Sequence, residues 1–133
     1  MENIKLEGNK RTPTIEFDSQ KGFLKISGRS IPENSWKFYK PFVDWIKEYI
    51  STTKNESTKI HIMLEYCNSS SSKYILDILQ LLDDLAGTNH PVSFEWYYAD
   101  NDEDMEEIGQ DLASFLQSVH TKLIAFKRER PIV

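Results

Sequence analysis

The chain has 133 residues, of which 39% are hydrophobic and 28% are charged, and its formal net charge at pH 7 is −5. This composition favours a folded chain over a disordered one and suits one domain with one sizeable core. The negative charge argues against nucleic acid or an anionic membrane surface as a partner. No apolar run approaches the ~20 residues of a membrane span, and charged residues from Lys5 onward interrupt any signal peptide. We therefore expect a cytoplasmic protein with a single domain over residues 1–133.

Predicted strands and helices follow one another along the chain. Five stretches have the alternating or β-branched pattern of strands, namely 12–18, 22–28, 57–67, 91–98 and 122–128, and an extra strand in residues 3–7 is an alternative. Three stretches have apolar residues at helical spacing, namely 33–51, 70–86 and 102–117. Strands that alternate with helices after an initial hairpin predict an α/β fold, with a mixed, partly parallel sheet and about three packed helices.

Three local patterns lead to more detailed expectations. Ile62 and Met63 place apolar side chains on both faces of strand 57–67, which predicts a central strand covered on both sides. The stretch from Ser30 to Glu33 has the spacing of a capping box before the first helix. Pro41 lies inside that helix, and because proline lacks an N–H group we expect a kink or a restart there.

Motifs of catalysis and metal binding are missing from the sequence. It has no glycine-rich phosphate loop, no nucleophile elbow and no zinc-protease motif. Its three histidines lie in or just before three different predicted strands, namely His61, His90 and His120, and have no ligand spacing. The acidic run 100–107 resembles a calcium loop, but Met105 stands where the turn needs glycine and Asp111 where glutamate is expected. Negative charge at a helix N-terminus explains the acidic run better than calcium binding does. Because the motifs of catalysis and metal binding are missing, we expect no enzyme, no metal and no cofactor.

Two apolar stripes lie beside the faces that we expect to be buried. They consist of Phe38, Trp45 and Tyr49 on the first predicted helix and of Tyr74, Leu81 and Leu85 on the second. Either the stripes widen the core, or they form a surface for a protein partner. On the second interpretation, the candidate partner-binding residues are Trp45, Tyr49, Tyr74, Leu81 and Leu85.

Three motifs together resemble the SiaC family of regulatory phosphoproteins. They are Pro32-Glu33-Asn34-Ser35, the pattern Tyr-x-Asn-Ser-Ser-Ser-x-Lys at 66–73, and Asp77-Ile78-Leu79. The resemblance extends over roughly residues 5 to 120. It implies a fold similar to the STAS domain of anti-sigma-factor antagonists and a role as a phosphorylation switch.

The resemblance also implies partners and an acceptor residue. In the family a dedicated kinase phosphorylates one hydroxyl residue and a PP2C-type phosphatase removes the phosphate. The unphosphorylated form binds and activates a diguanylate cyclase, which raises cyclic di-GMP and promotes biofilm formation. The family's acceptor is a threonine directly after the asparagine, so the matching residue here is Ser69, with Ser70 as the alternative.

A phosphorylation switch at this position is compatible with physical chemistry, and two other functions are alternatives to it. A serine at a strand-to-helix junction can cap the helix through its hydroxyl, and a phosphate near a helix N-terminus need not unfold the domain. One alternative is a constitutive STAS-like assembly module without phosphorylation. Another is a small hydrolase that uses a serine of the run, although no base or oxyanion motif accompanies it.

Overall fold

Six strands and three helices form within residues 1–128, the part of the chain that the computed structural model describes. The strands are β1 (Ile4–Leu6), β2 (Thr14–Asp18), β3 (Phe23–Ser30), β4 (Thr58–Cys67), β5 (Val92–Ala99) and β6 (His120–Phe126). The helices are α1 (Ser35–Thr52), α2 (Ser69–Ala86) and α3 (Glu103–Ser114). The predicted α/β fold with a mixed sheet and three helices is confirmed. The last residues of the predicted domain, 129–133, lie outside the described residues.

The strands pair in their sequence order, β1-β2-β3-β4-β5-β6. The first three strands pair antiparallel, and β3 to β6 pair parallel with one helix in each connection. Parallel connections are almost always right-handed, so a strand order that always advances in one direction places all three helices on one face of the sheet.

The core lies between that face and the helices. Side chains from four adjacent strands form its floor, namely Ile15, Phe17, Leu24, Ile26, Ile60, Ile62, Leu64, Val92, Phe94 and Trp96. From α1, the rings of Phe42 and Trp45 pack on Phe17 of β2. On β5, the buried indole of Trp96 donates a hydrogen bond of 2.9 Å to the carbonyl oxygen of Met105 in α3. These contacts attach the outer helices to opposite sides of the same sheet face.

The opposite face of the sheet is open. A polar row crosses all six strands there in register, consisting of Lys5, Glu16, Lys25, His61, Glu95 and Lys122. Met63 on the same face is 39% exposed, so the prediction that β4 is covered on both sides is wrong. The pattern misled because β4 has a bulge at Glu65, where the register with β3 skips one residue. Because one residue is skipped, Cys67 faces the buried side of the sheet. Strict alternation from Met63 would place Cys67 on the open face.

Helix α1 runs without a break from Ser35 to Thr52, and Pro41 lies inside it. Of the predicted kink or restart at Pro41, the restart is therefore wrong, and the kink stays a prediction. Pro41 itself is exposed, while Tyr39 and Phe42 on either side of it are buried in the core. Packing of these two rings holds the helix together where one backbone hydrogen bond is lost. Within the described residues, no helix combines the length and the apolar character that crossing a membrane requires.

Candidate functional site

Asn68 alone connects the end of β4 to the start of α2. Its side-chain oxygen accepts a hydrogen bond of 2.8 Å from the backbone N–H of Ser71, and its carbonyl accepts the first helical bond, from Ser72. The Asn68 N–H donates to the carbonyl oxygen of Ser30 at the end of β3, at 3.0 Å. An asparagine therefore caps α2, and the expected capping serine is not needed.

The first two serines of the run are exposed but differ in their hydrogen bonds. Ser70 Oγ lies 2.6 Å from Ser35 Oγ in α1 and 3.2 Å from the side-chain oxygen of Asn68. Ser69 is the first residue of α2, and its hydroxyl has no hydrogen-bond partner among residues 1–128. Ser69 thus presents a hydroxyl to solvent that no local interaction restrains.

Ser71 is fully buried and belongs to the structure of the junction. Ser30 Oγ donates to Ser71 Oγ at 2.8 Å, and Ser71 Oγ donates to the Ser30 carbonyl at 3.2 Å. Ser30 Oγ also shares a hydrogen bond of 2.6 Å with the hydroxyl of Tyr39 in α1. Burial raises the pKa of Tyr39 and brings that of the Cys67 thiol to about 12, so both groups stay protonated at neutral pH. This network joins β3, α1 and α2, and it replaces the predicted capping box, because Asn34 is the residue that caps α1.

Ser72 turns back onto its own helix. Its hydroxyl donates to the carbonyl oxygen of Ser69 at 2.8 Å, a bond that serines inside helices commonly form. Of the four serines, only Ser69 is exposed and has a hydroxyl that makes no hydrogen bond within the described residues.

Comparison with known proteins identifies the family. The model of the SiaC family of regulatory phosphoproteins matches residues 6–126. The chain belongs to the SiaC family. An uncharacterised protein of Pseudomonas aeruginosa (strain UCBPP-PA14) is 32% identical over 111 residues, which are 84% of this chain and 87% of that protein.

Solved structures of SiaC have the same fold as this SiaC-family chain. Apo-SiaC from Pseudomonas aeruginosa matches with a TM-score of 0.85 and 29% identity, over 94% of this chain and 100% of that one. The crystal structure of the diguanylate cyclase SiaD in complex with its activator SiaC, from the same organism, contains a SiaC chain that matches with a TM-score of 0.85 and 29% identity. That match covers 92% of this chain and 99% of the other.

Three of the five residues predicted to bind a partner lie in the core of the SiaC-family chain. Trp45 and Leu85 are 8% and 9% exposed, and Tyr49 is 1% exposed. Trp45 stacks on Tyr49 with ring centroids 5.3 Å apart, and its indole N–H donates to the carbonyl oxygen of Glu2 at 2.8 Å. The N-terminal segment thus covers the flank of α1 that the sequence pattern left open. We correct the predicted surface accordingly, since these three side chains are not exposed.

The other two residues, Tyr74 and Leu81, are half-buried at the seam between α1 and α2. The ring of Tyr74 stacks on that of Tyr39 at a centroid distance of 6.2 Å and an interplanar angle of 13°. Leu81 borders a shallow surface depression together with Val43 of α1. Both residues pack against the core and remain candidates for partner contact.

A groove between α2 and α3, which we call the α2–α3 groove, was not predicted. Ser69 and Lys73 lie on its α2 side and Phe115 at the end of α3. The sequence pattern placed Phe115 on the third helix, predicted at 102–117. The helix instead ends at Ser114, and Phe115 at its C-cap is 57% exposed. The α2–α3 groove was therefore missed because α3 ends earlier than the spacing of its apolar residues indicates.

The acidic run has the structural role that the sequence favoured. Asp102 caps α3 by accepting a hydrogen bond of 3.1 Å from the backbone N–H of Met105, and three further acidic residues occupy the first turn. Negative charge at this end of a helix is stabilising. Among residues 1–128, no three His, Cys, Asp or Glu side chains are grouped as a metal site requires.

Proposed function

We propose that this SiaC-family chain is a phosphorylation-controlled regulator whose unphosphorylated form binds and activates a diguanylate cyclase. In this proposal a kinase phosphorylates Ser69, a PP2C-type phosphatase removes the phosphate, and the chain itself catalyses no reaction. The observation that carries the proposal is the exposed Ser69 hydroxyl, which makes no hydrogen bond within the described residues. A kinase reaches it without breaking any interaction of the fold.

The position of Ser69 tolerates a phosphate. It is the first residue of α2, where backbone N–H groups point out of the helix and the helix dipole favours negative charge. Lys73 stands one turn further on, at the spacing of an i,i+4 ion pair. A phosphoserine at this place therefore leaves the domain folded.

The same phosphate is unfavourable for docking. It adds about −1.5 to −2 units of charge at pH 7. A partner that covers the start of α2 has to remove water from that charge, which costs much more than covering a neutral hydroxyl. Phosphorylation thus blocks binding without a change of fold.

The cyclase as partner is supported by the relatives. SiaC of Pseudomonas aeruginosa is the activator of the diguanylate cyclase SiaD, and its chain in the complex aligns with nearly all of ours at a TM-score of 0.85. A shared fold over nearly the whole chain makes a shared mode of action the simplest inference. It is a proposal for this chain, because partner choice depends on surface side chains.

Affinity capture from the native cell tests the proposal. Ser69→Ala and Ser69→Glu proteins are immobilised, and the retained proteins are identified by mass spectrometry. We expect the Ser69→Ala protein to retain a diguanylate cyclase, hereafter the cognate cyclase, and Ser69→Glu to lose it. Equal retention by both baits indicates a constitutive assembly module, and the absence of any cyclase from both rejects the cyclase as partner.

A further inference from the structure

We propose that the α2–α3 groove is the docking surface for the cognate cyclase. Its occupant is an apolar segment of the cyclase that carries a carboxylate, which pairs with Lys73 beside Ser69. This inference rests on the proposed function and specifies the surface by which that function is exerted.

The floor of the groove is apolar and incompletely covered. Leu76 of α2 and Ile108 of α3 are half-buried, and Leu112 is buried between the helices. Phe115 at one end is 57% exposed, the highest value of any large hydrophobic residue among residues 1–128. An aromatic side chain that faces solvent next to a preformed apolar groove is typical of a contact that dominates binding energy.

Charges of opposite sign stand on the two sides of this groove. Lys73 lies on the α2 side and Asp111 on the α3 side, both exposed. Neither forms an ion pair with another residue of the described chain. Charge complementarity therefore calls for an apolar segment with an acidic group toward Lys73 and a basic group toward Asp111.

This arrangement explains the direction of the switch. Ser69 lines the same groove as Lys73 and Phe115. Once Ser69 is phosphorylated, its phosphate takes the position of the partner's carboxylate beside Lys73 and repels it. The partner loses a charge pair and meets a dianion that it has to desolvate.

The seam between α1 and α2 is the competing surface. Leu81 lies on that seam and away from the α2–α3 groove. Its half-buried side chain packs against the core, whereas Phe115 projects into solvent. The exposed apolar area next to Ser69 thus favours the α2–α3 groove.

Binding of the purified cognate cyclase to the unphosphorylated chain tests the groove, with calorimetry as the measurement. Phe115→Glu should weaken binding at least about tenfold, as loss of a central aromatic contact does. Trp36→Glu is the matched control, because Trp36 is 55% exposed on α1, and it should stay within about twofold of wild type. Asp111→Lys, at an exposed position on the other side of the groove, should weaken binding as well and keeps the test valid if Phe115→Glu does not fold.

The outcomes separate the inference from the proposed function. Wild-type affinity in both Phe115→Glu and Asp111→Lys overturns the groove and leaves the proposed function intact. Equal losses in Phe115→Glu and Trp36→Glu, or a loss confined to Leu81→Glu, also overturn it. If the unphosphorylated wild-type chain does not bind the cyclase, the proposed function fails first and the groove with it.

Discussion

Four consecutive serines have four different environments, and only part of this was predictable. Ser69 was predicted as the phosphate acceptor from its place after Asn68 in a family motif, because a run of identical residues offers no other distinction. The burial of Ser71 could have been predicted, since it lies one and two helical turns before the buried Ile75 and Ile78. The bond between Ser70 and Ser35 could not, because it depends on how α1 and α2 pack.

The serines should differ in their effect on stability. Ser69→Ala removes an exposed hydroxyl without a partner among residues 1–128, so the free energy of unfolding should change by less than about 0.5 kcal/mol. Ser71→Ala removes two buried hydrogen bonds and should cost about 1 to 3 kcal/mol. Urea unfolding of both variants measures the difference. A Ser69→Ala loss as large as that of Ser71→Ala would show that Ser69 is structural.

At the scale of the elements, the sequence predicted which segments form helices and strands better than where their side chains point. Apolar spacing located α1, α2 and α3. It could not assign Trp45 and Tyr49, because the residues that cover them come from the N-terminal segment and from the loop before β4. The end of α3 was missed for the opposite reason, since Phe115 has apolar spacing but no neighbour that covers it.

Pro41 offers a test of helix α1. Its ring nitrogen cannot donate a backbone hydrogen bond, which costs a helix about 3 kcal/mol. Proline also restricts the unfolded chain, and this offsets about 1 kcal/mol of that cost. Pro41→Ala should therefore raise the free energy of unfolding by about 1 to 2 kcal/mol, measured by urea unfolding. Unchanged or lower stability would mean that α1 has adapted to the proline.

At the scale of the molecule, the alternation of elements predicted the mixed sheet, and the strand order explains its open face. Strands that advance in one direction leave one side without helices. The apolar Met63 suggested cover on that side, but the polar row across the six strands shows a face that suits solvent. One bulge at Glu65 was enough to mislead the spacing argument, because it inverts the alternation at the end of β4.

Asp83 joins distant parts of the chain and makes stability depend on pH. Its carboxylate accepts hydrogen bonds from the backbone N–H groups of three residues before β6, at 2.8 to 3.1 Å, namely Gln117, Ser118 and Val119. Partial burial acts to raise the pKa of Asp83, but the three hydrogen bonds together hold it below its usual value. A lowered folded-state pKa means that the stabilisation is present above the unfolded value of about 3.9 and is lost as the pH falls through the folded value.

Asp83→Asn should therefore lose about 1.5 to 3 kcal/mol at neutral pH, the range for hydrogen bonds to a charged group. The difference from wild type should begin to shrink as the pH falls below the unfolded-state pKa of about 3.9, and it should be lost as the pH falls through the lower folded-state pKa, where the folded wild-type carboxylate becomes protonated. Thermal unfolding across this pH range measures it, with Asp84→Asn at the exposed neighbouring position as the control. A constant difference at all pH values would contradict the role of the charge.

The rate of cyclic di-GMP formation by the cognate cyclase tests the switch most directly. The rate is compared with the unmodified chain and with the chain after kinase treatment, whose single phosphate is located by peptide mapping. We predict that the phosphate is on Ser69, that the unmodified chain accelerates the cyclase and that the phosphorylated chain does not. Ser69→Ala protein treated with the same kinase should keep full activation. Equal activation by the phosphorylated and unmodified chains, or a phosphate on Ser71 or Ser72 with Ser69 unmodified, would contradict the account.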